Sequence, residues 1–171
     1  MPNSKISDNN AQDLKPKVGI FVDVQNIYYT TKQVYGRQFD YRKFWRRMVQ
    51  ASNITIANAY AIDRGLATQE KFQSALRHIG FEVKLKPYIS RSDGSSKGDW
   101  DVGITIDIIR NAPELDLIVL LSGDGDFDVL VNYVRDAYDV GFDIYGVSAL
   151  TASSLKHSAD RFHLIDETFL L

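Results

Sequence analysis

The sequence predicts an α/β fold: a single domain on a mainly parallel central sheet with helices on both faces. Three observations carry that prediction. Short apolar runs alternate with segments of helical length, and the connections between them are short. Two of the runs, VGIFV (18–22) and LIVLL (117–121), are almost unbroken β-branched and aliphatic residues, as in strands covered on both faces. A chain of 171 residues that is 44% hydrophobic is long enough for one such core.

Taken in order, residues 1–16 are polar, lack apolar periodicity and end at Pro16, which predicts a flexible arm before a domain over 17–171. Strands are expected at 18–22, 54–62, 81–88, 117–121 and 142–147, with a short last one at 161–165. Helices are expected at 40–51, 68–79, 98–111 and 126–139, with a short one at 152–159. Gly80 and Gly141 follow two of these at the position a helix C-cap favours, and Pro113 follows a third.

Composition narrows the chemistry. With no cysteine there is no disulfide, thiol nucleophile or thiolate-held metal, so the available ligands are oxygen and nitrogen. The longest clean apolar run, 117–121, is far short of the ~20 residues of a membrane span. The N-terminus has no apolar signal core, so a soluble, cytoplasmic protein is expected. Charge is unevenly spread: residues 1–97 hold 16 Lys/Arg against 8 Asp/Glu, and residues 98–171 hold 4 against 14. That pattern suggests a cationic surface beside a concentration of carboxylates, or simply two solvated faces.

Ligands of open α/β sheets bind beyond the carboxyl ends of the strands. Asp23 follows VGIFV and Asp124 follows LIVLLSG, so both stand at that edge, as helix caps or as parts of a site. On a helical projection of DVGITIDIIRN, Asp101 falls within the apolar arc of Val102, Ile104, Ile106, Ile108 and Ile109, while Asp107 and Arg110 fall on the wet side. A carboxylate so placed needs a cation, either a basic side chain or a metal. The SGDGDFD run (122–128) is not an EF-hand, because Val129 and Arg135 stand where that loop requires glycine and glutamate. Hard oxygen ligands gathered at one sheet edge suit Mg²⁺ or Mn²⁺ and point to phosphodiester hydrolysis. His78, His157 and His163 lack ligand spacing.

FVDVQN, KGDWDVGITID and SGDGDF together resemble the three motifs of NYN-domain proteins, in the LabA-like branch of the PIN-like superfamily. The resemblance spans residues 17–166 and implies a Rossmann-like sheet with a divalent-metal-dependent ribonuclease site. It implies that Asp23, Asp101, Asp124 and Asp126 form the acidic, metal-holding and catalytic cluster. Asn26 and Ser122 would be supporting polar groups, and Asp99 and Asp128 further acids at its edge. The rival expectation is a non-catalytic RNA-binding or regulatory module on the same fold.

RNA would meet the basic half. RQFDYRKFWRR (37–47) sets Arg42, Arg46 and Arg47 among aromatics, with Phe44 and Met48 at core spacing. The Ser/Gly-rich loop 89–98 offers Arg91 and Lys97, as a flap over the cleft or a plain connector. Tyr28, Tyr29 and Tyr35 would suit a homodimer interface if unburied.

Overall fold

The two most apolar runs lie side by side at the centre of a six-stranded parallel sheet. The structure, a computed structural model, describes residues 14–90, 96–97 and 99–171. In chain order its elements are β1 (Lys17–Asp23), α1 (Val24–Tyr35), α2 (Tyr41–Ala51), β2 (Asn53–Asp63), α3 (Ala67–Ile79) and β3 (Glu82–Pro87). A two-residue pair follows, β4 (Ile89–Ser90) and β5 (Ser96–Lys97), and then α4 (Asp101–Asn111) and β6 (Leu117–Leu121). The chain ends with α5 (Asp128–Ala137), β7 (Gly141–Gly146), α6 (Ser153–Ser158) and β8 (Arg161–Leu164). Strand order is β3-β2-β1-β6-β7-β8, and every neighbouring pair in this sheet is parallel.

Alternation along the central strands feeds two cores. Val18, Ile20 and Val22 of β1, with Val119 and Leu121 of β6, pack under α1, α2 and α3. Phe21, Ile118 and Leu120 point the other way, under α4, α5 and α6. Helices thus cover both faces, and none among the described residues is long and apolar enough to cross a membrane.

Three local results depart from the sequence reading. Helix α1 is an addition, since no helix is expected between 18–22 and 40–51. Its inward stripe is Val24, Ile27, Thr30 and Thr31, so half of it is threonine. Both hydroxyls are spent on the helix itself: Thr31 Oγ1 donates to the Ile27 carbonyl (2.7 Å) and Thr30 Oγ1 to that of Asn26 (2.8 Å). Gly36, at φ 66°, ends the helix in the left-handed cap.

Second, α4 is rotated relative to the projection. Ile104 and Ile108 are buried, whereas Val102 and Ile106 are exposed. Asp107, expected on the wet side, turns inward: the Tyr60 hydroxyl donates to its Oδ2 (2.8 Å) and Lys84 Nζ sits at 2.9 Å. Burial opposes ionisation there, but the Lys84 and Tyr60 hydrogen bonds win and hold the carboxyl below its ordinary value.

Third, the segment expected as a loop over 89–98 carries the antiparallel pair Ile89↔Lys97 and Ser90↔Ser96. Residues 91–95 and 98 lie outside the described residues, as do 1–13 of the expected arm. At the end of that arm, Lys15 Nζ donates to the Val49 carbonyl and the Pro16 carbonyl accepts from Asn53 N.

Candidate functional site

From β1 the chain runs outward through β2 to β3, and from β6 through β7 to β8. The carboxyl ends of β1 and β6 therefore flank the point where strand order reverses, the place where an open α/β sheet leaves a crevice. Asp23 ends β1, Asp124 follows β6 by three residues, and Asp101 opens α4.

Asp23 caps α1: its Oδ1 accepts from Asn26 N at 3.4 Å, and its Oδ2 accepts from Ser122 Oγ at 3.2 Å. Ser122, fully buried, also accepts from Asp124 N at 3.2 Å. Asn26 Oδ1 accepts from Gly123 N at 2.9 Å. These bonds tie the β1 and β6 ends into one rigid floor. The acid loop is held down from above as well. A Cβ on Gly123 would lie 2.7 Å from the Leu150 carbonyl, and one on Gly125 2.8 Å from the Ala152 Cβ. Only glycine lets SGDGD pass beneath that segment, and Asp124 Oδ1 then accepts from Asp126 N at 3.0 Å.

Asp101 is placed by its predecessor. Trp100 Nε1 donates to the Ala61 carbonyl (2.9 Å), and its ring packs against Tyr60 and carries Lys86 Nζ 4.4 Å from its centre. Lys86 Nζ also donates to the Asp99 carbonyl (3.1 Å), and Asp99 Oδ1 accepts from Asp101 N (3.3 Å). Sequence reasoning did not single out Trp100 or Lys86 as positioning residues; the indole directly before Asp101 in KGDWD is the signal that was available.

The outcome is a trio. One carboxylate oxygen from each of Asp101, Asp124 and Asp126 lies within 4.8 Å of the others, with the first two half-buried and the third exposed. Burial, then the Asp124 carboxylate beside it, pushes Asp101 up to about 7. Burial likewise raises Asp23 to about 6 against its two hydrogen bonds, with the Asp124 and Asp99 charges adding to the rise. Carboxyls that resist ionisation because they are buried, and then because they crowd one another, are groups that a cation would relieve. Three hard oxygen donors without nitrogen or sulfur fit Mg²⁺ or Mn²⁺.

The other expected residues lie elsewhere. Asp23, Asn26 and Ser122 support the trio from below, and Asp99 flanks it. Asp128 starts α5 and is not among the grouped acids. Arg42 and Arg46 line a cavity of about 340 Å³ with Trp45, His78 and Ile79. That cavity adjoins the last turn of α3, where the chain turns back to enter β3 at the opposite end of the sheet. Arg47 lies 4.2 Å over the Phe169 ring and donates to the Thr168 carbonyl, fastening the C-terminal segment. The arginine-rich helix is thus not brought to the acids. Arg91 and the Lys97 side chain lie outside the described residues. On β8, His163 pairs with Asp143 at 2.8 Å and stacks on Tyr145.

Comparison with known proteins is consistent with this geometry. The model of the NYN domain matches residues 17–166. Low amplitude and bright protein LabA of Synechococcus elongatus is 29% identical over 154 residues, spanning 85% of this chain and 82% of that protein. A crystal structure of a protein of unknown function from Vibrio parahaemolyticus superposes with a TM-score of 0.88 at 50% identity, covering 93% of this chain and 98% of that one.

Proposed function

The chain belongs to the NYN domain family, and from that premise we propose that it is a ribonuclease hydrolysing RNA phosphodiester bonds with a divalent cation. The observation that carries the reading is the carboxylate trio Asp101, Asp124 and Asp126 at the strand-order reversal. Asp101, Asp124 and Asp126 would hold the ion, Mg²⁺ or Mn²⁺, with Asp23 close beside them. When bound, such an ion lowers the pKa of a water and neutralises charge growing on a phosphoryl group.

The chain's own residues do the rest. Ser122 and Asn26 keep Asp23 and the acid loop at fixed separation, so the donors are preorganised rather than gathered at the moment of reaction. The Lys86–Trp100 stack holds the start of α4 against β2, which fixes Asp101. Burial raises the Asp23 carboxyl to about 6 against its hydrogen bonds from Asn26 and Ser122, so a cation held beside it would stabilise its charged form. The expectation of RNA as partner rests on the family; a homodimer through the exposed Tyr28 and Tyr29 stands as a proposal only.

The test is incubation of the purified protein with single-stranded and structured RNAs in Mg²⁺, Mn²⁺ or EDTA, beside Asp101→Asn and Asp124→Asn. Metal-dependent products, lost in both variants while the fold persists, support the enzyme. Salt-sensitive RNA binding without turnover would replace it by the non-catalytic module. Equal cleavage by variants and wild type would move the site away from the trio.

A further inference from the structure

Beside the acids, on the β2 side of β1, runs a second feature that the hydrolytic trio does not use. A groove of about 580 Å³ lies between α1, the end of β2 and the start of α3. That volume is within the roughly 300–1,000 Å³ of sites that enclose small organic ligands. It adjoins the end of β1 that carries Asp23: Val24, next to Asp23, lines it, and so does Ala61, the neighbour of Tyr60, which pairs in register with Asp23.

Its lining is polar where a core would not be. Gln73 is 6% exposed and Tyr41 8%, and among the described residues neither side chain has a hydrogen-bond partner. Thr30, Thr31 and Ser122, also buried, are bonded, and among the described residues Asn58 Oδ1 is the one fully enclosed polar side-chain atom left without a partner. An amide and a phenol, each more than nine-tenths buried and facing a groove, are groups prepared for a ligand with hydrogen-bonding edges. Tyr28, 46% exposed, stands at the rim as a stacking face, and Gln25 adds a second amide. Among the described residues no carboxylate lines it, and the one charge is Arg64, whose guanidinium lies 4.6 Å over the Tyr88 ring.

We propose that this groove is a nucleobase subsite, which takes one unstacked base of an RNA strand whose backbone crosses the aspartate trio. The inference rests on the ribonuclease reading for the position of the phosphate, and supplies what that reading lacks, a means of gripping the strand. Base edges carry donors and acceptors that match the Gln73 amide and the Tyr41 hydroxyl. The base face matches Tyr28, and Arg64 is the counter-charge for a neighbouring phosphate. A neutral groove next to a carboxylate cluster sorts the two halves of a nucleotide by charge.

Chemical-shift mapping with the four ribonucleoside 5′-monophosphates, in Mg²⁺, tests it on the ¹⁵N-labelled full chain. The Gln73 and Gln25 side-chain amides should move, and Gln73→Leu and Tyr28→Ala should each weaken binding about tenfold. Tyr28 is exposed, so that variant folds even if Gln73→Leu does not. Shifts confined to residues around Asp101 and Asp124, or unchanged affinity in both folded variants, overturn the subsite. If RNA is cleaved but the groove signals stay still, the subsite falls and the nuclease stands. If the groove signals move and no RNA is cleaved, the subsite is supported and the nuclease falls.

Discussion

Asp23→Asn should stabilise the metal-free protein, and only at neutral and alkaline pH. In the wild type, burial raises the Asp23 carboxyl from 3.8 to about 6. A carboxyl raised on folding binds its proton more tightly in the native state, so stability falls as pH climbs from about 4 to about 6 and levels off above 7. That rise corresponds to about 3 kcal/mol lost at pH 8, of which about 1 kcal/mol is already lost at pH 4.5. Asparagine carries no charge to desolvate. It can still cap α1 through its carbonyl oxygen and meet Ser122 through its amide, with about 1 kcal/mol given up for poorer geometry. The variant should therefore match the wild type near pH 4.5 and exceed it by about 2 kcal/mol at pH 8, roughly 4–8 °C in Tm for a chain of this size. Circular-dichroism melts in EDTA at the two pH values measure it. A variant less stable at pH 8, or a difference that ignores pH, would refute the claim that burial of this charge costs the fold.

Further expectations follow the same bookkeeping. Mn²⁺ at a hundred times its Kd should stabilise the wild type by about 3 kcal/mol, and Asp124→Asn should forfeit most of that gain, in melts with and without EDTA. Gly123→Ala sets a methyl 2.7 Å from the Leu150 carbonyl, so it should lose about 1–3 kcal/mol in urea unfolding and cut RNA cleavage by displacing Asp124. Lys84→Met leaves Asp107 without its cation. The pH dependence is opposite to that of Asp23, because the Asp107 carboxyl is lowered: the wild type's advantage is present above about pH 4 and fades as pH falls through the lowered value.

Much of this protein was legible in the chain by itself. The period of two, the two apolar strands and the acids that end them depend only on local chemistry, because a strand buried on both faces must be apolar along its length. They placed Asp23 and Asp124 at one edge before any strand order was known. Of the two glycines expected as C-caps, Gly80 does end α3, whereas Gly141 opens β7 and α5 stops earlier, at Tyr138.

What failed locally failed for a tertiary reason. Helix α1 hides its inward stripe behind threonines that satisfy their own hydroxyls, so no apolar period marks it. The rotation of α4 is set by contacts far off in sequence, Trp100 on Ala61 and Tyr60 and Lys84 on Asp107, and no helical projection contains them. Arginines and aromatics interleaved in α2 suit an RNA face or a solvated one alike, and only packing puts Arg47 over Phe169 and Arg42 and Arg46 by the last turn of α3. The groove with Gln73 and Tyr41 could not be read from the chain, since its walls come from four elements, α1, α2, β2 and α3, spread over some fifty residues. Sequence determines which groups are available and which edge of the sheet they reach; packing between distant elements decides which of them meet, how deeply they are buried, and so what their protons cost.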